Sequence, residues 1–343
     1  MSTLQNTFQS LKQVLPQEAR PRVVELRSEA ETPAVSIIIP AFNVAPYIAE
    51  TLESVFAQTF TNYEVIIVND GSPDTLEFEE AIRPYADRLC YLKQENSGAS
   101  VARNTGVTAA RGEFVAFLDG DDLWLPTYLE EQLRFMRERG ADLVCADAKM
   151  FGDAVTEGHS YMALLMNDAA ATDDVSFLQL VDAERCLITS GIIARRESVV
   201  NAGLFDPALR TAQDFDMWLR LALSGSRLSY QRKPLLKYRC RPDGLTGDTI
   251  NSHQRELRIF DKIETSYDLA PVNREEVLRV IRDRRALLQF ELGKLYAARG
   301  DCEKAAHAFD ESRRLKPARN KSFAIWLLRF SPKLMKAICA QRV

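Results

Sequence analysis

Apolar runs and helical spacings alternate along the first part of the chain. The run Val35 to Ile39 is apolar except for one serine, which is typical of a strand buried on both faces. The predicted strands are 35–39, 64–68, 89–93, 113–118, 143–146 and, further along, 227–238, and the predicted helices are 45–58, 75–86, 97–111 and 126–139. This alternation predicts an α/β fold with a mainly parallel sheet and helices on both faces.

Polar clusters follow three of the predicted strands directly. Pro40-Ala41-Phe42-Asn43 follows the first strand, Asn69-Asp70-Gly71-Ser72 the second, and Asp119-Gly120-Asp121-Asp122 the fourth. Turn formation alone would explain any one of these clusters. Three together favour a binding site, because ligands of such sheets bind beyond the carboxyl ends of the strands.

The last of these clusters carries three carboxylates within four residues. Like charges at this spacing repel one another unless water or a cation compensates them. Mg²⁺ and similar hard ions take one or two carboxylates together with water and phosphate oxygens, so the cluster predicts a divalent-cation site. A solvated loop is the alternative, and for Asp122 a further alternative is that it caps the helix predicted over 126–139.

Four segments, in this order, resemble the motifs of family 2 glycosyltransferases, which have the GT-A fold. They are Val35 to Asn43, Val68 to Ser72, Asn96 to Gly106 and Phe117 to Asp122, with further similarity at 203–206 and 213–220. The resemblance implies an inverting transfer of a sugar from a nucleotide-diphosphate sugar, expected to be a UDP-sugar, to an acceptor hydroxyl. It also implies the assembly of a cell-surface polysaccharide or glycolipid, with a glycan or a lipid-linked molecule as acceptor.

The resemblance assigns roles to residues at the matched positions. The nucleotide or its diphosphate is expected to contact Pro40, Ala41, Asn43, Asp70, Ser72, Asn96, Arg103, Asp119, Gly120, Asp121 and Arg241. Asp70 would accept hydrogen bonds from the base, and the guanidinium of Arg103 would approach the diphosphate. Asp119 and Asp121 would hold Mg²⁺ or Mn²⁺. A surface ion pair is the alternative for Arg103.

In the resembled family the catalytic base lies in an acidic pair at a helix start, and the matching pair here is Gln213-Asp214. Asp214 is therefore the expected base that takes the acceptor proton, and Asp216 is the second candidate. The alternative is that Asp214 only caps a helix over 215–223. The QxxRW signature of processive polysaccharide synthases is absent from the sequence, which favours addition of a single sugar.

The C-terminal part of the chain has a different pattern. Residues 286–319 resemble one tetratricopeptide repeat, through Leu292-Gly293, Tyr296 and Phe309 among others. Beyond them, apolar residues are interleaved with Lys and Arg, as in a helix that lies at a membrane interface. Two interpretations of this tail are open. It docks on a membrane, or it covers the single repeat, which cannot bury its own faces.

These patterns divide the 343 residues into an N-terminal extension (1–33), a glycosyltransferase domain (34–250) and a helical C-terminal region (251–343). The domain has a nucleotide-binding part (34–150) and an acceptor part (151–250). The net charge of −4 conceals an asymmetry, since residues 253–343 hold 20 Lys and Arg against 12 Asp and Glu. The acidic remainder argues against nucleic acid as a partner, whereas the basic end is expected to meet an anionic surface.

Other features of the sequence bear on location and on competing functions. Six scattered cysteines without a CxxC pair argue against structural zinc and indicate a reducing compartment. Because neither a signal peptide nor an apolar run of about 20 residues is found, we expect a cytoplasmic enzyme that contacts the inner face of the membrane peripherally. A homo-oligomer is compatible with the sequence. Two alternatives remain: a sugar-nucleotide pyrophosphorylase, although its Gly-rich loop is missing after Ile39, and a non-catalytic scaffold with a partner-binding helical tail.

Overall fold

The computed structural model describes residues 32–152, 157–165, 173–241 and 249–340 of the chain. Within these ranges the chain forms two compact units. The first is drawn from Met1–Ser176 and Arg185–Arg241, and the second from Phe177–Glu184 and Pro242–Val343. Almost all of the predicted N-terminal extension lies outside the described residues, and the domain limits predicted from the sequence stay predictions.

One sheet forms the centre of the first unit. Its strands are β1 (Val35–Ala41), β2 (Tyr63–Asp70), β3 (Leu89–Gln94), β4 (Phe114–Phe117), β5 (Leu123–Trp124), β6 (Leu143–Phe151), β7 (Asp174–Val175), β8 (Ile192–Arg195) and β9 (Leu228–Arg239). The strands are ordered β3-β2-β1-β4-β8-β6-β9-β5, and β7 pairs with β9. The two-residue strands β5 and β7 and the strand β8 were not predicted from the sequence.

The helices follow the predicted alternation closely in the first unit. They are α1 (Ala45–Phe56), α2 (Thr75–Ile82), α3 (Ala99–Ala109), α4 (Tyr128–Arg139), α5 (Tyr161–Leu165), α6 (Phe177–Val181), α7 (Arg196–Asn201), α8 (Gln213–Leu223), α9 (Thr249–Ser266), α10 (Arg274–Arg299), α11 (Cys302–Leu315), α12 (Arg319–Phe330) and α13 (Pro332–Ala340). Helix α6 and helices α9 to α13 belong to the second unit. The helix predicted over 75–86 ends at Ile82 and continues as the 3₁₀ segment Arg83–Arg88.

The half of the sheet around β1 is parallel. Strand β1 pairs in parallel with β2 and β4, and β2 pairs in parallel with β3. Beyond β4 the sheet is mixed, since β8 is antiparallel to both β4 and β6, whereas β6 and β9 are parallel. Parallel strands end at the same edge of a sheet, so the loops after β1, β2 and β4 lie beside one another. The predicted α/β fold is confirmed.

The core of the first unit lies on both faces of the sheet, because alternate strand residues face opposite sides. Ile37 and Ile39 belong to a core cluster that includes Ile48 of α1 and residues of α2 and α4. Ile38 faces α3 so closely that a Cβ at Gly106 would overlap with its side chain. Burial on both faces explains the continuous apolar run of β1, and each such side chain contributes about 1.5–3 kcal/mol to folding.

In the second unit, α10 and α11 form a helical hairpin around Gly300 and Asp301. Gly300 ends α10 in the left-handed region with a φ of 84°, and the Asp301 carboxylate accepts a hydrogen bond from the N–H of Lys304 as the N-cap of α11. Phe309 of the hairpin shares a buried cluster with Leu327 of α12 and other residues of α12 and α13. One face of the tail therefore covers the hairpin. No helix within the described ranges is both long enough and apolar enough to cross a membrane.

Candidate active site

The carboxylate of Asp70, the last residue of β2, holds the loop that precedes α3. It accepts hydrogen bonds from the backbone N–H of Ser97 at 2.9 Å, from that of Gly98 at 2.8 Å, and from Gln94 Nε2 at 2.7 Å. Three donors satisfy most of the demand of this buried carboxylate. A carboxylate has about four acceptor positions, so Asp70 builds the loop and retains capacity for a ligand.

Hydrogen bonds join the loop after β1 to the loop after β2. The N–H of Asn43 donates to Ser72 Oγ across 2.6 Å, and the Ser72 hydroxyl in turn donates to Asp74. The second oxygen of Asp74 accepts from the N–H of Ala45 at 2.8 Å. Asn43 itself lies in the left-handed region with a φ of 56°, a conformation that asparagine tolerates better than most residues. These contacts fix the spacing between the two loops.

The remaining residues predicted to line a nucleotide pocket lie at the same edge. Pro40 and Ala41 end β1 opposite Val68 and Asn69 of β2. Asn96 is exposed in the loop after β3, directly before the residues that bind Asp70. The structure therefore brings together residues from the ends of β1, β2 and β3 that the sequence separates by more than 50 positions.

Arg103 and Asp119 form an ion pair between α3 and the end of β4. Arg103 Nη2 lies 2.7 Å from Asp119 Oδ1, and the arginine side chain is 5% exposed. Its Nε and Nη1 atoms are buried and have no hydrogen-bond partner in the described part of the chain. Because the pair is buried on the arginine side, the surface ion pair considered for Arg103 is wrong. The guanidinium keeps two donor atoms without an acceptor.

The other residues of the carboxylate cluster are held by neighbours on α1 and at the end of β9. Thr51 Oγ1 donates to the carbonyl of Gly120 across 3.0 Å. Arg241 Nη1 lies 3.2 Å from Asp121 Oδ2, so the structure brings this predicted diphosphate ligand to the cluster. Asp122 is buried and accepts from the N–H of Arg239 at 2.8 Å. It therefore does not cap α4, whose N-cap is Thr127.

Burial and mutual repulsion raise the pKa of two of these carboxyls. For Asp121, burial is the largest cause and the charge of Asp119 adds to it, whereas Arg241 lowers the pKa in part. Complete burial and the charges of Asp119 and Asp121 raise the pKa of Asp122 well above 3.8. A cation at this cluster would compensate the repulsion and favour the charged forms.

Asp119 and Asp121 fit the coordination habits of Mg²⁺ or Mn²⁺. The described residues contain no group of three or more His, Cys, Asp or Glu side chains that could hold a metal ion by themselves. Two carboxylates are nevertheless the number that such ions use when substrate phosphates and water supply the other ligands. Asp121 now pairs with Arg241, so a bound cation would compete with this arginine for the carboxylate.

Asp214, the expected base, is the second residue of α8, and Ala212 occupies the N-cap position. The helix thus begins before Asp214, and the alternative that Asp214 only caps it is wrong. Asp214 Oδ2 accepts a hydrogen bond from Thr189 Oγ1 at 3.0 Å, and its side chain is half-buried. Asp216, the second candidate, is fully buried and paired with Arg220 at 2.8 Å, so it stabilises α8 and is poorly placed to take a proton from an acceptor.

Sequence reasoning missed Ser190, which lies between the candidate base and the carboxylate cluster. Its hydroxyl accepts from the N–H of Asp119 at 3.1 Å, and its carbonyl accepts from Trp124 Nε1 at 2.8 Å. The signal in the sequence was Thr189-Ser190-Gly191, three small residues directly before the apolar strand β8.

Arg210 was also missed. The hydroxyl of Ser100, at the start of α3, donates to the carbonyl of Leu209 across 2.8 Å. This contact brings the exposed Arg210 beside Gly98, so that its Cδ would lie 3.7 Å from a Cβ built there. Because the N–H of Gly98 binds Asp70, Arg210 adds a positive charge next to the predicted nucleotide pocket. A basic residue three positions before Gln213 was the available signal.

Comparison with known proteins decides the family. The model described as glycosyl transferase family 2 matches residues 36–187. The putative teichuronic acid biosynthesis glycosyltransferase TuaG of Bacillus subtilis is 31% identical over 243 residues, which are 68% of this chain and 89% of that protein. The chain belongs to glycosyl transferase family 2. This confirms the predicted family and enzyme class and decides against the pyrophosphorylase alternative.

Other comparisons concern length and fold. An uncharacterized glycosyltransferase of Rickettsia felis is 30% identical over 231 residues, and the match spans 66% of this chain but 37% of that protein. S. aureus TarS in complex with UDP-GlcNAc has a TM-score of 0.61 at 18% identity, covering 90% of this chain and 89% of that one. Mannosyltransferase PcManGT of Pyrobaculum calidifontis, in complex with GDP-Man and Mn²⁺, has a TM-score of 0.59 at 19% identity, covering 98% and 93%. These structures confirm the GT-A glycosyltransferase fold.

Proposed function

We propose that this chain is an inverting glycosyltransferase that transfers one sugar from a UDP-sugar to a hydroxyl of an acceptor. The observation that carries the proposal is the buried guanidinium of Arg103, which pairs with Asp119 and keeps two nitrogens without a partner. Leaving buried charged donors unsatisfied is costly. The oxygens of a diphosphate are acceptors that suit a guanidinium, because both are charged and the hydrogen bonds are correspondingly strong.

The nucleotide would bind at the ends of β1, β2 and β3. Asp70 retains acceptor capacity for an N–H of the base, while Asn43 and Ser72 hold the adjoining loops in place. The exposed side chain of Asn96 and the charge of Arg210 complete this surface. UDP is the preferred nucleotide because a structural neighbour binds UDP-GlcNAc. The GDP-Man of a second neighbour makes GDP-sugars the competitor to test.

Asp119 and Asp121 would hold a divalent cation, Mg²⁺ or Mn²⁺, together with diphosphate oxygens. Such an ion compensates the charge that develops on a departing diphosphate. The Mn²⁺ bound to a structural neighbour supports this part of the proposal, as does the raised pKa of Asp121, whose burial and proximity to Asp119 call for a compensating charge. Arg103 would hold Asp119 in place while its free nitrogens bind the diphosphate.

Asp214 would act as the base. Its carboxylate takes the proton of the acceptor hydroxyl as the hydroxyl oxygen forms a bond to the anomeric carbon of the sugar. The bond from that carbon to the diphosphate breaks on the opposite face, so the configuration is inverted. Thr189 donates a hydrogen bond to the base and would keep its carboxylate oriented toward the acceptor.

The acceptor is proposed to be a growing cell-surface glycan or a lipid-linked precursor. The support is the name of the Bacillus subtilis relative, a putative teichuronic acid biosynthesis enzyme that the chain matches over 89% of its length. A single-addition enzyme remains the expectation, since the processive signature is missing from the sequence.

Isothermal titration with UDP, UDP-GlcNAc and GDP-mannose, each with and without Mn²⁺, tests the proposal. We expect UDP to bind and Arg103→Lys to weaken that binding about 10–100-fold, because charge-assisted hydrogen bonds are worth about 1.5–3 kcal/mol. Arg134→Lys, a change of the same kind at an exposed ion pair of α4, is the matched control and should leave binding unchanged. Binding of no nucleotide, or unchanged binding in Arg103→Lys, would favour the non-catalytic scaffold.

A further inference from the structure

The tail formed by α12 and α13 has two faces of different character. Leu327 and Leu328 of α12 and Met335 of α13 are buried in the cluster that covers the α10–α11 hairpin. On α12, Phe323 is 59% exposed, Trp326 53% and Phe330 68%. The packing that buries the inner face thus leaves an aromatic outer face in solvent, where apolar area of this size marks an interaction site.

The exposed rings of α12 form a continuous ladder. The centroids of Phe323 and Trp326 lie 5.8 Å apart, and those of Trp326 and Phe330 lie 5.4 Å apart. On α13, Leu334 and Ile338 are also exposed, one turn apart. We call these five side chains the outer face. Its apolar residues recur at helical spacing, so they extend along both helices and are not scattered single residues.

Basic side chains accompany the outer face without being neutralised by the protein. Arg329, Lys333 and Lys336 are exposed, and none of them forms an ion pair with another described residue. Nine basic residues and no acidic residue follow Glu311 in the sequence. The outer face therefore combines exposed aromatic rings with unopposed positive charge.

We propose that the outer face docks on an anionic lipid bilayer. Aromatic side chains favour the boundary between headgroups and acyl chains, and neighbouring Lys and Arg side chains are attracted to anionic headgroups. A second copy of this chain would bring the same unopposed positive charge against the face, and like charges at an interface are unfavourable. The proposal does not depend on the transfer reaction, so either can fail without the other.

Trp326 makes the proposal directly measurable. The chain contains three tryptophans, and Trp124 and Trp218 are buried at 3% and 1% exposure, so a change in environment on vesicle binding will report mainly on Trp326. Addition of vesicles of phosphatidylcholine and phosphatidylglycerol to the full chain should shift its fluorescence to shorter wavelength and protect it from quenching by iodide. Vesicles of phosphatidylcholine alone should produce a much smaller effect, and rising salt should reduce binding, because screening shortens the range of the attraction.

Two variants separate the contributions of charge and of apolar area in vesicle sedimentation. The variant R329Q/K333Q/K336Q should lower partitioning onto the anionic vesicles about a hundredfold, since each basic residue near such a surface contributes about a tenfold effect. Its charge-matched control is K149Q/K237Q/R258Q, at exposed basic positions elsewhere. The variant F323S/W326S/F330S should also lose binding, whereas L76S/L287S, at exposed leucines elsewhere, should retain it. Circular dichroism checks that each variant is folded.

Three outcomes would overturn the proposal. The first is that the intact chain binds neither kind of vesicle. The second is that it binds, but the fluorescence of Trp326 stays unshifted and both outer-face variants bind like their controls, because another surface is then responsible. The third is that the intact chain sediments as an oligomer that F323S/W326S/F330S converts to monomer without any vesicle binding, which would make a second copy the occupant of the outer face.

Discussion

The backbone N–H of Asp119 donates a hydrogen bond to the hydroxyl of Ser190 across 3.1 Å. The adjacent Thr189 donates to Asp214 across 3.0 Å. One turn therefore contacts both the carboxylate cluster after β4 and the candidate base on α8. Strand β8 places the turn there, because it pairs in antiparallel fashion with both β4 and β6. A displacement of β8 would move the proposed cation site and the proposed base together.

Replacement of Asp214 by asparagine tests the base. We expect Asp214→Asn to lower turnover by about 10²–10⁴-fold, the usual contribution of a general base, because an amide cannot take the acceptor proton. Nucleotide affinity should stay nearly unchanged, since the ligands proposed for the nucleotide lie at the ends of β1, β2 and β3. Steady-state kinetics with titration of UDP measures both quantities.

The matched comparison is Asp216→Asn, the same change two residues later. Asp216 is buried and paired with Arg220, which also donates to the carbonyl of Leu204 at 2.6 Å. Its loss should therefore lower the melting temperature while the folded fraction keeps most of its turnover. If Asp216→Asn abolishes transfer at full stability and Asp214→Asn does not, the assignment of the base is wrong.

The cation requirement depends on Asp121. We expect transfer and donor hydrolysis to need Mg²⁺ or Mn²⁺, and Asp121→Asn to remove most of both, because only Asp119 would then remain to hold the ion. Titration of Mn²⁺ by calorimetry in the presence of UDP gives a readout apart from turnover. Asp87→Asn, an exposed carboxylate after α2, serves as control. Full activity in EDTA together with an unimpaired Asp121→Asn would reject the role of the ion.

The part of the fold around β1 could be predicted from the sequence because its strands are buried on both faces. The run Val35 to Ile39 needs no knowledge of its partners to be recognised as such a strand. Polar residues at the strand ends are equally visible, and the parallel pairing of β1 with β2 and β4 then brings Asp70 and Asp119 to one edge. Periodicity thus reaches the general position of the site.

Periodicity does not reach contacts made by short or antiparallel pieces. Strand β8 has four residues and β5 has two, which are too few for a repeat to be visible. The turn that carries Ser190 depends on β8 and was missed with it. The tail was open for a related reason: its sequence fits both interpretations, and only the packing separates Leu327, which is buried, from Trp326, which is exposed.

Glu64 of β2 predicts a pH dependence of stability. Its buried carboxylate accepts from Ser36 Oγ at 2.7 Å and from the N–H and Nε of Arg111 at 2.8 and 3.0 Å. Burial raises the pKa of Glu64, but these hydrogen bonds outweigh it, so the pKa lies below the ordinary value of 4.5. A carboxyl with a depressed folded-state pKa stabilises the fold above its unfolded pKa, and the contribution is lost as the pH falls through the folded pKa.

We therefore expect Glu64→Gln to lower the free energy of unfolding by about 1–3 kcal/mol at neutral pH. The difference from the unaltered chain should shrink as the pH falls below about 4, where the native carboxylate is itself protonated. Urea unfolding at several pH values measures it. Glu113→Gln, at an exposed pair with Arg195, should change stability by less than about 1 kcal/mol. A difference for Glu64→Gln that persists undiminished in acid would mean that packing, not charge, causes it.

Gly293 of α10 predicts how tightly the hairpin of the second unit is packed. A Cβ at this position would lie 2.5 Å from Cδ1 and 2.6 Å from Cε1 of Phe309 on α11. In an isolated helix Gly293→Ala would stabilise by about 1 kcal/mol, but forcing a methyl group into this contact costs about 1–3 kcal/mol. Phe309 is fully buried and lies 5.3 Å from the ring of Phe290, so it cannot move aside freely.

Hydrogen exchange of the α10 and α11 amides should therefore show faster opening in Gly293→Ala. Phe309→Leu removes the atoms that the new methyl group would meet. The double variant G293A/F309L should accordingly be more stable than the sum of the two single effects predicts, because residues in contact are not additive. If Gly293→Ala instead slows exchange, as the helix propensity of alanine alone would have it, the two helices do not approach as closely as described. The surface that the inner face of the tail covers would then be differently shaped, and the separation of the tail into a buried and an exposed face would lose its basis.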